Sequence, residues 1–133
     1  MTTILVVDDD DPTVELLTHF LQLEGYAALA ASNGREALER AWVTVPDLII
    51  TDHQMPIMTG TELFRAVQKS PRLRQVPVIL ITSAPPAAAR DLEWAELLRK
   101  PIDLDTLLRA VQRVFREAVP FRNSCCSERG RRP

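Results

Sequence analysis

Residues 4–11 read ILVVDDDD, an unbroken apolar run with three β-branched members that stops at four aspartates. A strand with one wet face alternates apolar and polar residues. A run without alternation suits a strand covered on both faces, as in a parallel sheet. Two more runs have this form: LII at 48–50 follows Pro46 and closes on Thr51-Asp52, and VILI at 78–81 follows Pro77 and closes on Thr82. AALAA at 27–31 and the Leu97-Leu98 pair are weaker candidates for two further strands.

Between these runs the apolar spacing changes to that of a helix. Val14, Leu17, Phe20 and Leu21 form one stripe, Ala37, Leu38, Ala41 and Trp42 a second, and Leu63, Phe64 and Val67 a third. Leu104, Leu107, Leu108, Val111, Val114 and Phe115 make the longest stripe, a closing helix. Asp11-Pro12 reads as N-cap and first helical residue; Ser32-Asn33-Gly34 and Thr59-Gly60 read as turns before helices. Strand and helix alternate about five times with short links, which implies an α/β fold with a parallel sheet covered on both sides. Ligands of such folds bind beyond the carboxyl ends of the strands.

The residues at those ends are Asp8 to Asp11, then Asp52, then Thr82 and Ser83, then Lys100-Pro101. Carboxylates gathered from two neighbouring strands repel and raise one another's pKa unless a cation joins them. Mg²⁺ suits an all-oxygen donor set and keeps several waters. A hard cation beside a carboxylate, a hydroxyl and an ammonium is a set fitted to phosphoryl transfer. The carboxylate attacks phosphorus, and the positive charges offset charge on the moving oxygens.

Composition agrees with one globular domain. The 133 residues are 46% hydrophobic and 26% charged, close to the soluble average. No apolar run approaches the roughly 18–20 residues of a membrane helix, and MTTILVVDDDD lacks the form of a signal peptide, so a cytoplasmic location is expected. Net charge is −2, split between +3 in residues 120–133 and −5 in residues 1–119. An acidic body argues against nucleic-acid binding by the folded part. Residues 1–119 are therefore expected to form the domain and residues 120–133 a basic, flexible tail. The two cysteines, Cys125 and Cys126, are adjacent in that tail and have no second pair to complete a zinc site.

VVDDDD, PDLIITDHQMP with Gly60, VILITS and RKP resemble, in order and spacing, the receiver domain of bacterial two-component response regulators. Each motif alone is weak; four in order at strand ends are specific. The resemblance covers about residues 3–118 and implies a doubly wound, flavodoxin-like (βα)₅ sheet of order 2-1-3-4-5. It further implies a single-domain receiver of the chemotaxis type, a signalling domain and not an enzyme. Asp52 would accept a phosphoryl group from a histidine kinase or phosphotransfer protein, with Mg²⁺ held by Asp8, Asp9, Asp52 and the Gln54 backbone carbonyl. Thr82 would be the switch hydroxyl and Lys100 the phosphoryl contact, with a cis bond before Pro101. The output would be a phosphorylation-dependent contact with a downstream protein; homodimerisation is left open.

Each of these residues has a plainer alternative. Asp10 and Asp11 read as a solvated turn, and Thr82 or Lys100 alone would be strand filler and surface charge. His53 adjoins Asp52, but side chains alternate along an extended chain and no proton relay is expected; His19 reads as structural or exposed. The sequence departs from the family in three places. The Thr82-to-Lys100 interval is 18 residues and contains Ala84-Pro85-Pro86, so the fourth helix is expected to be short or partly unwound. Leu97 stands where the family commonly has the aromatic residue that turns inward. Thr59 replaces the acid before Gly60. The output is therefore expected to use another surface or dimerisation, with Trp94 a candidate for the packing role of the missing aromatic. Gln54 and Ala84 occupy the positions that flank the attacking water's route in the family, so Gln54 is expected to tune the lifetime of the phosphorylated form.

Two other functions are weighed. Asp9-x-Asp11-x-Thr13-Val14 fits the first motif of haloacid-dehalogenase-type phosphatases, but Asp103 and Asp105 follow Lys100 too closely for the further acidic strand those enzymes need. A pseudo-receiver, the same fold as a binding module without phosphorylation, would be expected to lack some of the core residues that are all present here.

Overall fold

A computed structural model describes residues 2–83, 89 and 92–126, with side chains as far as residue 117. The elements in chain order are β1 (Thr3–Val7), α1 (Asp11–Leu23), β2 (Ala27–Ala31), α2 (Gly34–Val43), β3 (Leu48–Asp52), α3 (Gly60–Lys69), β4 (Val78–Thr82), β5 (Glu96–Arg99) and α4 (Leu104–Cys126). The strands form one five-stranded sheet of order β2-β1-β3-β4-β5, every adjacent pair parallel. The expected fold class and strand order are both present. The fourth helix expected after Thr82 falls on residues largely outside those described.

The chain divides into two compact units, residues 1–102 and 103–133. The first holds the sheet with α1, α2 and α3. Ile4, Leu5, Val6 and Val7 are all at most 1% exposed, so both faces of β1 are covered, as the absence of alternation requires. Leu5, Val7, Ile49 and Val78 point into one cluster with Ala37, Ala41, Leu63, Phe64 and Val67. The alternating pleat sends Ile4, Val6, Leu48 and Ile50, also buried, to the other face. β2 and β5 are the sheet edges and are only half-buried, which explains their weaker apolar signal. The second unit is α4, capped by Asp103, whose carboxylate accepts from the Thr106 N–H at 3.1 Å. The boundary expected at residue 119 falls inside this helix.

Two local readings are corrected. The N-cap of α1 is Asp10, not Asp11: its carboxylate accepts from the Thr13 N–H at 3.1 Å and from the Thr13 hydroxyl, while Asp11 begins the helix and Pro12 follows. Trp42 does not join the buried stripe of α2 but is 56% exposed. Five residues at 3.6 per turn carry it about 140° round from Ala37, and its ring lies under the Arg72 guanidinium, 5.1 Å from the centroid.

The Thr59 cap of α3 forms a full capping box with Glu62, which fixes how the chain enters α3 from the loop after β3. That loop contains a tight turn in which the Met58 N–H donates to the Pro56 carbonyl at 2.7 Å. Ile57, at the turn's centre, has φ of 72°, a region that β-branched residues rarely adopt. Met58 then packs against Gly34, where an added Cβ would lie 2.8 Å from its Cγ. Glycine at 34 is thus a condition for the loop's close approach to α2.

Candidate functional site

The sheet order reverses between β1 and β3, so the carboxyl ends of these adjacent strands open the crevice where ligands of doubly wound folds sit. Val7 pairs with Thr51, which places Asp8 and Asp52 side by side one residue further on. Asp8 leaves β1 with its N–H donated to the Ala31 carbonyl at 3.1 Å, and its own Oδ1 accepts from the Asp10 N–H at 3.1 Å. Carboxylate oxygens of Asp8, Asp9 and Asp52 lie within 4.8 Å of one another; Asp8 and Asp52 are buried and Asp9 is exposed.

Asp52 is held at both oxygens. Oδ1 accepts from the His53 N–H at 2.8 Å, and Oδ2 is 3.1 Å from the Lys100 Nζ. Lys100 follows the end of β5, where Arg99 pairs with Thr82, and its N–H donates to the Thr82 carbonyl at 3.0 Å. The Lys100-Pro101 peptide bond is cis, as the resemblance implied. Thr82 is 3% exposed at the end of β4, one residue past Ile81, the partner of Asp52. Gln54 is exposed and lines an open pocket with Asp9, Asp52, His53, Pro56 and Thr59.

Burial pushes the Asp8 carboxyl up to about 6 from its ordinary 3.8, with the Asp52 charge and the hydrogen bond that protonated Asp8 donates to the Asp9 carboxylate adding to the rise. The Asp10 N–H and, more weakly, Lys100 act in the other direction. In the protein alone, burial beside a second carboxylate thus disfavours the charged form of Asp8. The donor set is all oxygen and open to solvent on the Asp9 side, which fits a hard divalent cation keeping some of its water.

Several contacts were not legible in the sequence. The Thr51 hydroxyl donates to the Asp52 carbonyl at 2.8 Å. The Gly60 N–H donates to the His53 carbonyl at 2.9 Å, and a Cβ on Gly60 would stand 2.5 Å from the Asp52 carbonyl oxygen. The motif's glycine thus lets α3 begin directly against the Asp52-His53 peptide. The His53 ring pairs through Nδ1 with the Thr61 hydroxyl at 3.2 Å.

Other sequence candidates are placed elsewhere. His19 is exposed on α1. Trp94 stacks on Phe64 with centroids 4.5 Å apart and donates its ring N–H to the Ala89 carbonyl at 2.7 Å. It precedes β5 by two residues, at the end of the sheet opposite Thr82, so it does not occupy the missing aromatic's place beside the hydroxyl. Leu97 pairs with Leu80 in mid-strand. Asp11 belongs to α1, Asp103 caps α4, and Asp105 pairs with Arg109 at 2.9 Å; none supplies the extra acidic strand end that a haloacid-dehalogenase-type site requires. Ala84 lies outside the described residues, as do the side chains of Cys125 and Cys126.

The family model of the response regulator receiver domain matches residues 4–112. Protein PilH of Pseudomonas aeruginosa is 31% identical over 121 residues, 86% of this chain and 98% of that protein. Transcriptional regulatory protein CrdR of Helicobacter pylori is 35% identical over 97% of this chain, but the match spans only 65% of CrdR. The solved structure of the chemotaxis response regulator CheY4 of Vibrio cholerae superposes with a TM-score of 0.80 at 34% identity, covering 86% of this chain and 98% of that one.

The raised Asp8 carboxyl has a consequence for the metal-free fold. A carboxyl higher in the folded than in the unfolded chain contributes stability that is fully present below the unfolded value of 3.8 and is lost as pH rises through about 6. Asp8→Asn removes this dependence. In EDTA the variant should gain on the wild type between about pH 4 and pH 6 and hold that gain above it, read as the difference in urea midpoints; a constant difference across this window would contradict the assignment.

Proposed function

Because this chain belongs to the response regulator receiver domain family, we propose that it accepts a phosphoryl group on Asp52 from a histidine kinase or phosphotransfer protein and signals by a phosphorylation-dependent protein contact. One observation carries the reading: the three converging carboxylates, with the Lys100 ammonium 3.1 Å from Asp52. Asp8, Asp9 and Asp52, with the Gln54 carbonyl, would hold Mg²⁺. When bound, that ion offsets negative charge on the transferring phosphoryl oxygens.

The remaining steps belong to the chain. A carboxylate oxygen of Asp52 attacks phosphorus, and the bond to the donor (P–N in a phosphohistidine, P–O in acetyl phosphate) breaks with its electron pair leaving on the donor. Lys100, already paired with Asp52, shifts its charge to the new phosphoryl oxygens, and Thr82 is the hydroxyl that reorients towards them. Hydrolysis of the acyl phosphate returns inorganic phosphate. In this reading the chain acts as a cytoplasmic signalling domain and assists only its own phosphorylation and dephosphorylation. Among the described residues no helix is long and apolar enough to cross a membrane. With Leu97 in β5 and Trp94 at the far end of the sheet, the output does not use an aromatic rotor beside Thr82; it leaves by another surface or by dimerisation. The pseudo-receiver reading gains no specific observation, since Asp8, Asp9, Asp52, Thr82 and Lys100 are all present in the sequence.

Two measurements follow. With acetyl phosphate and Mg²⁺, intact mass should rise by one phosphoryl group in the wild type and not in Asp52→Asn; a wild type that takes up no phosphoryl group would favour the pseudo-receiver instead. Gln54→Ala should alter the rate of inorganic phosphate release from the phosphorylated protein several-fold, as expected of a side chain on the rim of the pocket that holds Asp52. An unchanged rate would leave Gln54 as a backbone ligand only.

A further inference from the structure

We propose that Thr61 and His53 form a positioning device that aims the Asp52 carboxylate, an inference that rests on the phosphoacceptor reading and adds two residues to it. The device begins with the asymmetry of Asp52: Lys100 holds Oδ2 at 3.1 Å and the His53 N–H holds Oδ1 at 2.8 Å. The direction of that N–H is the direction of the Asp52-His53 peptide, so whatever fixes the peptide fixes the carboxylate's rotation.

Three contacts hold this peptide and the one that follows it. The Thr51 hydroxyl donates to the Asp52 carbonyl at 2.8 Å, and the Gly60 N–H donates to the His53 carbonyl at 2.9 Å. The third is made by side chains alone: His53 Nδ1 and the Thr61 Oγ1 lie 3.2 Å apart. One proton serves this bond in either imidazole tautomer. Thr61 is 5% exposed and is the second residue of α3, whose start is held by the Thr59–Glu62 capping box. The ring is thereby tied to a rigid helix and not to the strained loop through Ile57. Without the hydroxyl, the half-buried ring loses its partner and the peptide can turn, and Oδ1 then samples orientations outside the line of attack. Attack within a bound complex is sensitive to such misalignment, whereas Mg²⁺ binding, shared with Asp8 and Asp9 and adjustable through the ion's retained waters, depends less on the rotation of Asp52.

The test separates aim from metal binding and from folding. The full chain, as wild type, Thr61→Val, Thr61→Ser and the pair His53→Phe and His53→Asn, is phosphorylated by acetyl phosphate with saturating Mg²⁺. The rate is followed by intact mass, and Mg²⁺ affinity is measured separately by calorimetry. Loss of one hydrogen bond predicts a rate about fivefold lower in Thr61→Val, with Mg²⁺ affinity within about twofold of wild type. Thr61→Ser, which retains the hydroxyl, restores the rate. His53→Phe should be slow and His53→Asn, which keeps a polar atom near the Nδ1 position, faster than His53→Phe; this pair decides the matter if Thr61→Val does not fold. Wild-type rates in Thr61→Val and His53→Phe, or equal losses in Thr61→Val and Thr61→Ser, overturn the proposal while leaving Asp52 as acceptor. A wild type that takes up no phosphoryl group overturns the phosphoacceptor reading itself, and this proposal with it.

Discussion

Like charges do not gather at the end of a buried strand without something that balances them, and most of this molecule is arranged around that constraint. β1 and β3 are adjacent, parallel and buried on both faces, so the residues at their carboxyl ends are forced into proximity. Those residues are Asp8, Asp9 and Asp52. Among the described residues the balancing groups are one lysine and two backbone N–H groups, and Asp9 is open to solvent. Burial still leaves Asp8 pushed up to about 6, a cost that a bound divalent cation would offset.

The same constraint explains which parts of the fold were legible in the sequence. β1, β3 and β4 stand out because strands covered on both faces must be apolar throughout. β2 and β5 are edges, where AALAA and ELLR need meet only half of that demand. The cap of α1 was misplaced by one residue because Asp10 and Asp11 are the same residue type; only backbone geometry separates a cap from a first helical residue. Trp42 was misread because its stripe was extended one residue past the helix face that is buried.

The site divides in the same way. Asp8, Asp9, Asp52, Thr82 and Lys100 were legible because each stands at or just past the carboxyl end of a strand and their order matches a family. The contacts that orient Asp52 were not. His53 and Thr61 are eight residues apart, and they meet because a glycine lets α3 start against the preceding peptide. That approach depends on Gly60 having no Cβ, a reason invisible in a motif that records only where glycine stands. The placement of Trp94 illustrates the converse: an aromatic residue near the expected position in sequence sits at the end of the sheet opposite Thr82, because the four residues of β5 lie between it and Lys100.

In the proposed function Asp8, Asp9 and Asp52 share one divalent ion, leaving Asp52 poised as nucleophile. Crystals grown with Mn²⁺ in place of Mg²⁺, measured with anomalous scattering, test it most directly. The account predicts a single anomalous peak bounded by these three carboxylates and the Gln54 carbonyl, with Lys100 still beside Asp52. Crystals in which that position carries no peak, at Mn²⁺ concentrations that fill exposed acidic sites elsewhere on the same molecule, would contradict it.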